Sequence, residues 1–172
     1  IVGNDDDGRK ISKFFKKGGS HRHLLKLDDY STIVNTRFIA GNNHILRLDE
    51  EEKLPIIRNL LPKYEKIIRR AVKKSDIVIL SDYNKGVFTF DTTQLIINIC
   101  KQYGKKVIVD PKGNDYTKYS GATFVKPNLK EFSVATGLDL YPTDKDFDNK
   151  IQIGAKTLFE KCNIENLLVT MS

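Results

Sequence analysis

Short apolar runs alternate with helix-forming segments from about residue 76 onward, and this alternation constrains the fold more than any other feature of the sequence. The first run, at 76–80, is short and continuous, which is typical of a buried strand. Similar runs follow at 106–110, 122–125 and 167–170. Strands that alternate with helices indicate βαβ units and a largely parallel sheet.

Local signals place the helices between these strands. Residues 91–94 have the spacing of a capping box, and the helical pattern that follows ends at Gly104. Asn128 can open a second helix, which Gly137 closes. A longer helix is expected near 149–161, where apolar residues fall on one face.

The first part of the chain has a different pattern. An amphipathic helix is expected at 5–17, and two strands at 31–37 and 45–49 surround a turn at 41–43. A helical stretch at about 54–74 follows, interrupted by Pro62. A hairpin ahead of an α/β unit predicts a flap outside the main sheet.

The length of 172 residues indicates one domain or most of one. The chain begins with Ile1 rather than Met, and both ends resemble strands, so we expect a piece of a longer protein. The predicted organisation is a partial domain with a flap at about 31–49 and a core at about 1–30 and 54–172.

Composition narrows the possible functions. Hydrophobic residues make up 40% of the chain and charged residues 30%, as in soluble globular proteins. The net charge of +7 suits nucleic acid, an anionic membrane or phosphorylated small molecules. Because the lysines are scattered and the apolar runs are too short to span a bilayer, we expect neither a nucleic-acid nor a membrane partner. Cys100 and Cys162 lack CxxC spacing and are expected to be buried, which fits a reducing cytoplasm.

Polar residues follow each strand at its carboxyl end, where ligands bind in open parallel sheets. Lysines supply point charges for phosphates, and carboxylates hold hard cations directly or through water. This mixture predicts a phosphate and magnesium site. Walker A, GxGxxG, HExxH and GxSxG sequences are absent from the chain, so P-loop, dinucleotide and zinc-protease functions lack support.

Each of these segments also has a purely structural interpretation. Asn128 with Glu131 forms a good capping box, residues 81–86 have ordinary turn chemistry, and Asp110-Pro111 can simply stop a strand. Taken singly, each segment favours structure over function. Their occurrence at consecutive strand ends favours a site.

Three of these segments match a known family in order and spacing. They are SDYNKG at 81–86, DPKG at 110–113 and GATFVKPNLKE at 121–131. They resemble the SDYxKG, DPKG and GAT…PNxxE segments of heptose-7-phosphate kinases, a family within the ribokinase, or phosphofructokinase-B, superfamily. GNDDDGR at 3–9, STIVNTR at 31–37 and LRLDE at 46–50 resemble its GxDxxG, PTxxKxR and RLDxE segments, with Ser31 in place of proline and Asn35 in place of lysine.

The resemblance covers essentially the whole chain. It implies a ribokinase-like three-layer α/β sandwich with a largely parallel sheet and a small β flap, truncated at both ends. The implied reaction is transfer of a phosphoryl group from ATP, with Mg²⁺, to the anomeric hydroxyl of D-glycero-D-manno-heptose 7-phosphate. The product, a heptose 1,7-bisphosphate, would serve ADP-heptose and lipopolysaccharide core biosynthesis in the cytoplasm.

The same resemblance assigns roles to residues. ATP contacts are expected from Asn128, Leu129, Lys130, Glu131 and Lys112, with Glu131 acting on Mg²⁺ through water. The region of the transferring phosphoryl group and the metal would include Asp82, Lys85, Asp110 and Glu131, and the substrate flap would contribute Arg37, Arg47 and Asp49. The catalytic Asp belongs to a GAGD segment expected beyond Ser172, so this chain by itself is expected to be inactive.

Partners also follow from the resemblance. Several ribokinase-type enzymes dimerise through such a flap, and an adenylyltransferase domain is often fused behind this kinase. Two alternatives stay open. The first is another ribokinase-type kinase, acting on a different sugar or on a nucleoside. The second is a non-catalytic α/β interaction domain.

Overall fold

The chain forms two units in the computed structural model, which describes residues 1–17, 23–52 and 60–171. The first unit is Ile1–Arg58 and the second is Asn59–Ser172. None of the helices in the described ranges is long and apolar enough to span a bilayer.

The first unit contains one helix and four strands among its described residues. They are β1 (Val2–Gly3), α1 (Asp6–Lys17), β2 (Lys26–Leu27), β3 (Val34–Ala40) and β4 (Asn43–Glu50). β1 pairs with β2 in parallel, and β3 pairs with β4 as the predicted antiparallel hairpin. The first hairpin strand begins three residues later than the sequence pattern suggested, because the N–H and the hydroxyl of Thr32 donate hydrogen bonds to Asp5.

Asp5 links the start of α1 to the segment before the hairpin through hydrogen bonds. Its Oδ1 accepts hydrogen bonds from Gly8 N and Thr32 Oγ1, each at 2.7 Å, and its Oδ2 accepts one from Thr32 N at 2.7 Å. These hydrogen bonds lower the pKa of Asp5 to about 2. A Cβ at Gly3 would overlap the carbonyl oxygen of Tyr30, and a Cβ at Gly8 would overlap that of Gly3. The GxDxxG spacing is therefore a packing requirement here.

The second unit is an alternating α/β structure. Its elements are α2 (Leu61–Lys73), β5 (Ile77–Ser81), α3 (Phe90–Gln102), β6 (Lys106–Asp110), a 3-10 turn (Thr117–Tyr119), β7 (Phe124–Val125), α4 (Leu129–Thr136), α5 (Phe147–Cys162) and β8 (Asn166–Leu167). The strands pair in parallel in the order β5-β6-β7-β8. The predicted βαβ organisation and parallel sheet are confirmed.

One helix start differs from the sequence prediction. The N-cap of α3 is Thr89 rather than Asp91, because the Thr89 and Thr92 hydroxyls each accept a hydrogen bond from the other's main-chain N–H. Pro62 lies in the first turn of α2, where its missing N–H costs nothing. Residues 54–59 of the predicted helical stretch lie outside the described residues.

The core of the second unit is built from the apolar faces of its helices and the central strands. Fully buried side chains include Ile97 of α3, Val109 of β6 and Leu158 of α5. Both cysteines are buried and free, as predicted. Burial raises the pKa of Cys100 to about 11, so this thiol stays protonated at neutral pH.

Candidate functional site

The carboxyl ends of the parallel strands lie along one edge of the sheet in the second unit. Ser81 pairs with Asp110 at the ends of β5 and β6, and Asp82 N donates to Asp110 O at 3.0 Å. Beyond β7, Asn128 forms an isolated bridge with Thr170. The fold therefore brings the segments at 81–86, 110–113 and 126–131 to the same edge.

A reciprocal capping box begins α4. Asn128 Oδ1 accepts a hydrogen bond from Glu131 N at 2.8 Å, and Glu131 Oε2 accepts one from Asn128 N at 3.1 Å. Gly137 ends the helix in the left-handed conformation. The capping interpretation of Asn128 and Glu131 is confirmed, yet it uses only one carboxylate oxygen of Glu131.

The other carboxylate oxygen contacts Lys112. Lys112 Nζ donates to Glu131 Oε1 at 2.9 Å, and the two side chains are 53% and 16% exposed. The hydrogen bond with Glu131 raises the pKa of Lys112, and the charge of Asp110 adds to this shift. The structure thus places an exposed ammonium group beside the first turn of a helix, a combination suited to an anionic ligand.

Asp82 lies beneath this surface rather than on it. Its side chain is 1% exposed, and its Oδ2 accepts from Lys118 Nζ at 2.6 Å and from Tyr119 Oη at 2.7 Å. Its Oδ1 accepts from Asn84 N at 2.6 Å. Both oxygens are therefore engaged within the protein, and a contact between Asp82 and a phosphoryl group stays a prediction.

The other predicted residues of this edge are more accessible. Asp110 pairs with Lys126 at 2.9 Å, and both side chains are about half exposed. Lys85 is half-buried, in a turn where Asn84 and Gly86 have positive φ.

Two further predicted residues belong to the first turn of α4. Lys130 is exposed, and Leu129 packs against the core.

Sequence reasoning missed Lys118 and Tyr119. They lie between the DPKG and GAT segments, where neither helical nor strand periodicity is visible. Their partner Asp82 is 36 and 37 positions away along the chain, respectively. Contacts over such separations leave no local pattern, so the sequence alone offered no signal for this cluster.

The predicted flap residues belong to the first unit. Arg37 lies directly opposite Arg47 in the hairpin register. Arg47 Nε and Nη2 donate to the two oxygens of Asp49 at 2.6 and 2.7 Å, and this hydrogen bonding raises the pKa of Arg47. Arg37 is exposed. Like charges directly opposite each other disfavour a hairpin, and here Asp49 offsets the charge of Arg47.

The residues at the strand ends allow a limited kind of metal site. Within the described ranges, no group of three or more His, Cys, Asp or Glu side chains is placed to enclose a metal ion. Mg²⁺ commonly keeps several waters and binds through one or two carboxylates and substrate phosphates. Glu131 pairs with Lys112 at 2.9 Å, and Asp110 ends β6 two residues before Lys112. These carboxylates fit an ion held mostly by water and phosphate, and do not fit an all-protein cage.

A family model matches the whole chain. The model of the pfkB family carbohydrate kinases matches residues 1–172. The chain belongs to the pfkB family. Members of this family are carbohydrate kinases.

Curated relatives are similar along the whole chain. A "Bifunctional protein HldE" from Paramagnetospirillum magneticum is 36% identical over 173 residues, covering 100% of this chain and 34% of that protein. Proteins of the same name from Helicobacter hepaticus and from a Nitratiruptor species are 35% and 38% identical, and each is matched over 35% of its length. The chain thus spans about a third of these relatives.

Solved structures support the fold. The ribokinase of Giardia lamblia superposes with a TM-score of 0.72 at 16% identity, covering 99% of this chain and 51% of that one. Phosphofructokinase-2 of Escherichia coli superposes with a TM-score of 0.68 at 16% identity, covering 99% and 53%. These likenesses confirm the predicted ribokinase-like α/β fold class for this pfkB family chain.

Proposed function

We propose that the protein containing this chain transfers a phosphoryl group from ATP to the anomeric hydroxyl of D-glycero-D-manno-heptose 7-phosphate. The observation that carries the proposal is the ion pair of the exposed Lys112 with the half-buried Glu131 at the start of α4, in a chain that belongs to a carbohydrate kinase family. The RLDxE-like segment at 46–50 supports a heptose substrate. The similarity to HldE proteins over the whole chain agrees with this choice.

The nucleotide phosphates would bind where positive charge is already fixed. Lys112 supplies an ammonium group, and the first turn of α4 supplies the positive end of the helix dipole. Lys130, exposed in the same turn, adds a second cation. Phosphoryl transfer depends mainly on positioning and charge stabilisation, so this arrangement would hold the donor in place. Glu131 and Asp110 would hold Mg²⁺ through water, and the ion would neutralise charge on the phosphates.

The sugar phosphate would bind to the flap. Arg37 and Arg47 form a like-charged cross-strand pair, and a phosphate group between them would relieve their repulsion. Asp49 holds the Arg47 guanidinium through two hydrogen bonds, which fixes its orientation. A hydroxylated sugar offers donors for the Asp49 carboxylate as well.

A substrate panel on the full-length protein tests this proposal. ADP release would be measured with the heptose 7-phosphate, a fructose phosphate, ribose and a nucleoside, each with MgATP. The heptose phosphate should give the highest kcat/KM. A clear preference for another acceptor would replace the substrate, and magnesium-dependent ATP binding without any turnover would weaken the kinase assignment itself.

The flap residues supply a sharper test. In Arg37→Gln, the KM for the sugar phosphate should rise about 10- to 100-fold, because a hydrogen bond to a charged group contributes about 1.5–3 kcal/mol. The KM for ATP should stay constant. Arg70→Gln, which removes another exposed arginine, from α2, is the control and should change neither constant. Equal effects in both variants would show that general charge, not the flap, is responsible.

The proposal also covers the oligomeric state of the protein, a fused domain and the cellular compartment. The hairpin exposes Phe38, Ile39, Ile45 and Leu46, which a second copy of the flap could cover. A fused adenylyltransferase domain would account for the greater length of the bifunctional relatives. We place the protein in the cytoplasm, where ATP and sugar phosphates are available.

A further inference from the structure

One hydroxyl group connects three segments of the strand-end edge. Tyr119 Oη donates to Asp82 Oδ2 at 2.7 Å and accepts from Lys112 N at 3.2 Å. The tyrosine side chain is fully buried. Burial raises the pKa of Tyr119 well above its usual range, so the hydroxyl keeps its proton and remains a donor at neutral pH. Tyr119 therefore bridges the end of β5 and the loop after β6.

The acceptor of this hydroxyl is itself fixed. Asp82 Oδ2 also accepts from Lys118 Nζ, whose side chain is 13% exposed, at 2.6 Å. A buried ion pair contributes little net stability compared with apolar residues of the same volume. What Lys118 does provide is a fixed position for the Asp82 carboxylate, and through it for the Tyr119 hydroxyl.

The donor to this hydroxyl is the main chain of Lys112, the residue whose amine lies at the start of α4. The Lys112 N–H is held by Tyr119, and the Lys112 Nζ is 2.9 Å from Glu131 Oε1. Lys112 is 53% exposed, so its side chain has few packing contacts to orient it. Its direction therefore depends on the ion pair with Glu131 and on where its main chain is anchored.

We propose that Tyr119 is a positioning residue for the nucleotide phosphates, acting through the main chain of Lys112. Because its side chain is fully buried, Tyr119 would touch neither the nucleotide nor the sugar phosphate. It sets the point from which the Lys112 amine reaches the α4 turn, with Asp82 and Lys118 as its support. The identity of the ligand rests on the proposed kinase function, whereas the anchoring of Lys112 stands on the contacts alone.

The neighbouring tyrosine provides a matched control. Tyr116 is as buried as Tyr119, and the two rings pack edge to face with centroids 5.6 Å apart. The Tyr116 hydroxyl makes a long contact of 3.4 Å with the main-chain oxygen of Glu131. Tyr119→Phe and Tyr116→Phe each remove one buried hydroxyl and keep the ring, so both variants should fold.

Two measurements on the full-length protein decide the inference. In Tyr119→Phe, amide hydrogen exchange of the segment 110–114 should accelerate about 2- to 10-fold, the factor that corresponds to one lost hydrogen bond. The kcat/KM for MgATP should fall about 10-fold at an unchanged KM for the sugar phosphate, because a displaced catalytic group loses its geometry. Tyr116→Phe should show neither change.

Unchanged exchange at 110–114, or equal effects in the two variants, would overturn the positioning role and leave Tyr119 as ordinary core. Faster exchange combined with an unaltered kcat/KM for MgATP would also overturn it. If the wild type phosphorylates none of the sugars, the proposed kinase function fails separately. The exchange data and the MgATP affinities of the two variants then still decide whether Tyr119 positions Lys112 for the nucleotide.

Discussion

Glu131 caps α4, and we propose that it also acts on Mg²⁺; Glu131→Gln separates the two roles. One carboxylate oxygen accepts the capping hydrogen bond from Asn128 N, and the other faces Lys112 Nζ. Glutamine retains an oxygen for the cap, since Glu and Gln both serve at this position of a capping box. It loses the negative charge that would attract Mg²⁺ and its waters.

The structure sets the size of the two effects. The pair with Lys112 is half exposed on the lysine side, so its loss should cost about 0.2–1 kcal/mol. For a chain of this size that lowers Tm by at most about 4 °C. Loss of a group that acts on a metal through water costs about 10- to 100-fold in activity or metal affinity. A functional Glu131 should therefore show a large kinetic effect with a small change in stability.

The assay is steady-state ADP release by the full-length protein across a range of Mg²⁺ concentrations, with thermal melting of the same samples. Thr89→Ala is the control, because it weakens a capping box of the same type at α3 without changing a charge. It should lower Tm by an amount that corresponds to about 1 kcal/mol and leave the magnesium dependence intact. A Glu131→Gln protein with wild-type kcat at every Mg²⁺ concentration would reduce Glu131 to a helix cap.

Two further predictions concern the first unit. The folded state holds the pKa of Asp5 at about 2, below its unfolded value of about 3.9, so the stability from its hydrogen bonds is present above pH 4 and lost as the pH falls toward 2. Urea titrations between pH 2 and 6 should show this loss in the wild type and a flatter profile in Asp5→Asn, and parallel profiles would contradict it. The second prediction concerns association of two flaps. Ile39 is 63% exposed on the hairpin, so Ile39→Glu should convert a dimer to a monomer in light scattering. A wild type that is already monomeric at high micromolar concentration would refute the interface.

Elements with local signals were predicted closely. β6 has the predicted bounds, and α4 begins after Asn128 and ends at Gly137 as expected. These signals are a continuous apolar run, a side chain that caps a helix, and a glycine that adopts positive φ. Each acts over a few residues, so the sequence contains all the information that decides it.

Predictions failed where several local solutions compete. Asp91 and Thr89 can both cap a helix, and Thr89 is used because its hydroxyl and that of Thr92 satisfy each other. Thr32 was expected in a strand, yet its N–H and hydroxyl bind Asp5, a residue 27 positions away. Such choices depend on tertiary contacts, which periodicity does not encode.

The strand-end residues show why a structural interpretation and a functional one need not exclude each other. A carboxylate has two oxygens with about four acceptor sites, so a helix cap leaves it capacity for another partner. Glu131 uses one oxygen for the cap and the other for the exposed Lys112 amine, whereas Asp82 uses both oxygens inside the protein. In the proposed kinase, Glu131 would act on the ligand side and Asp82 would support the site from beneath. The partners and the burial of each carboxylate, rather than the motif, separate the two cases.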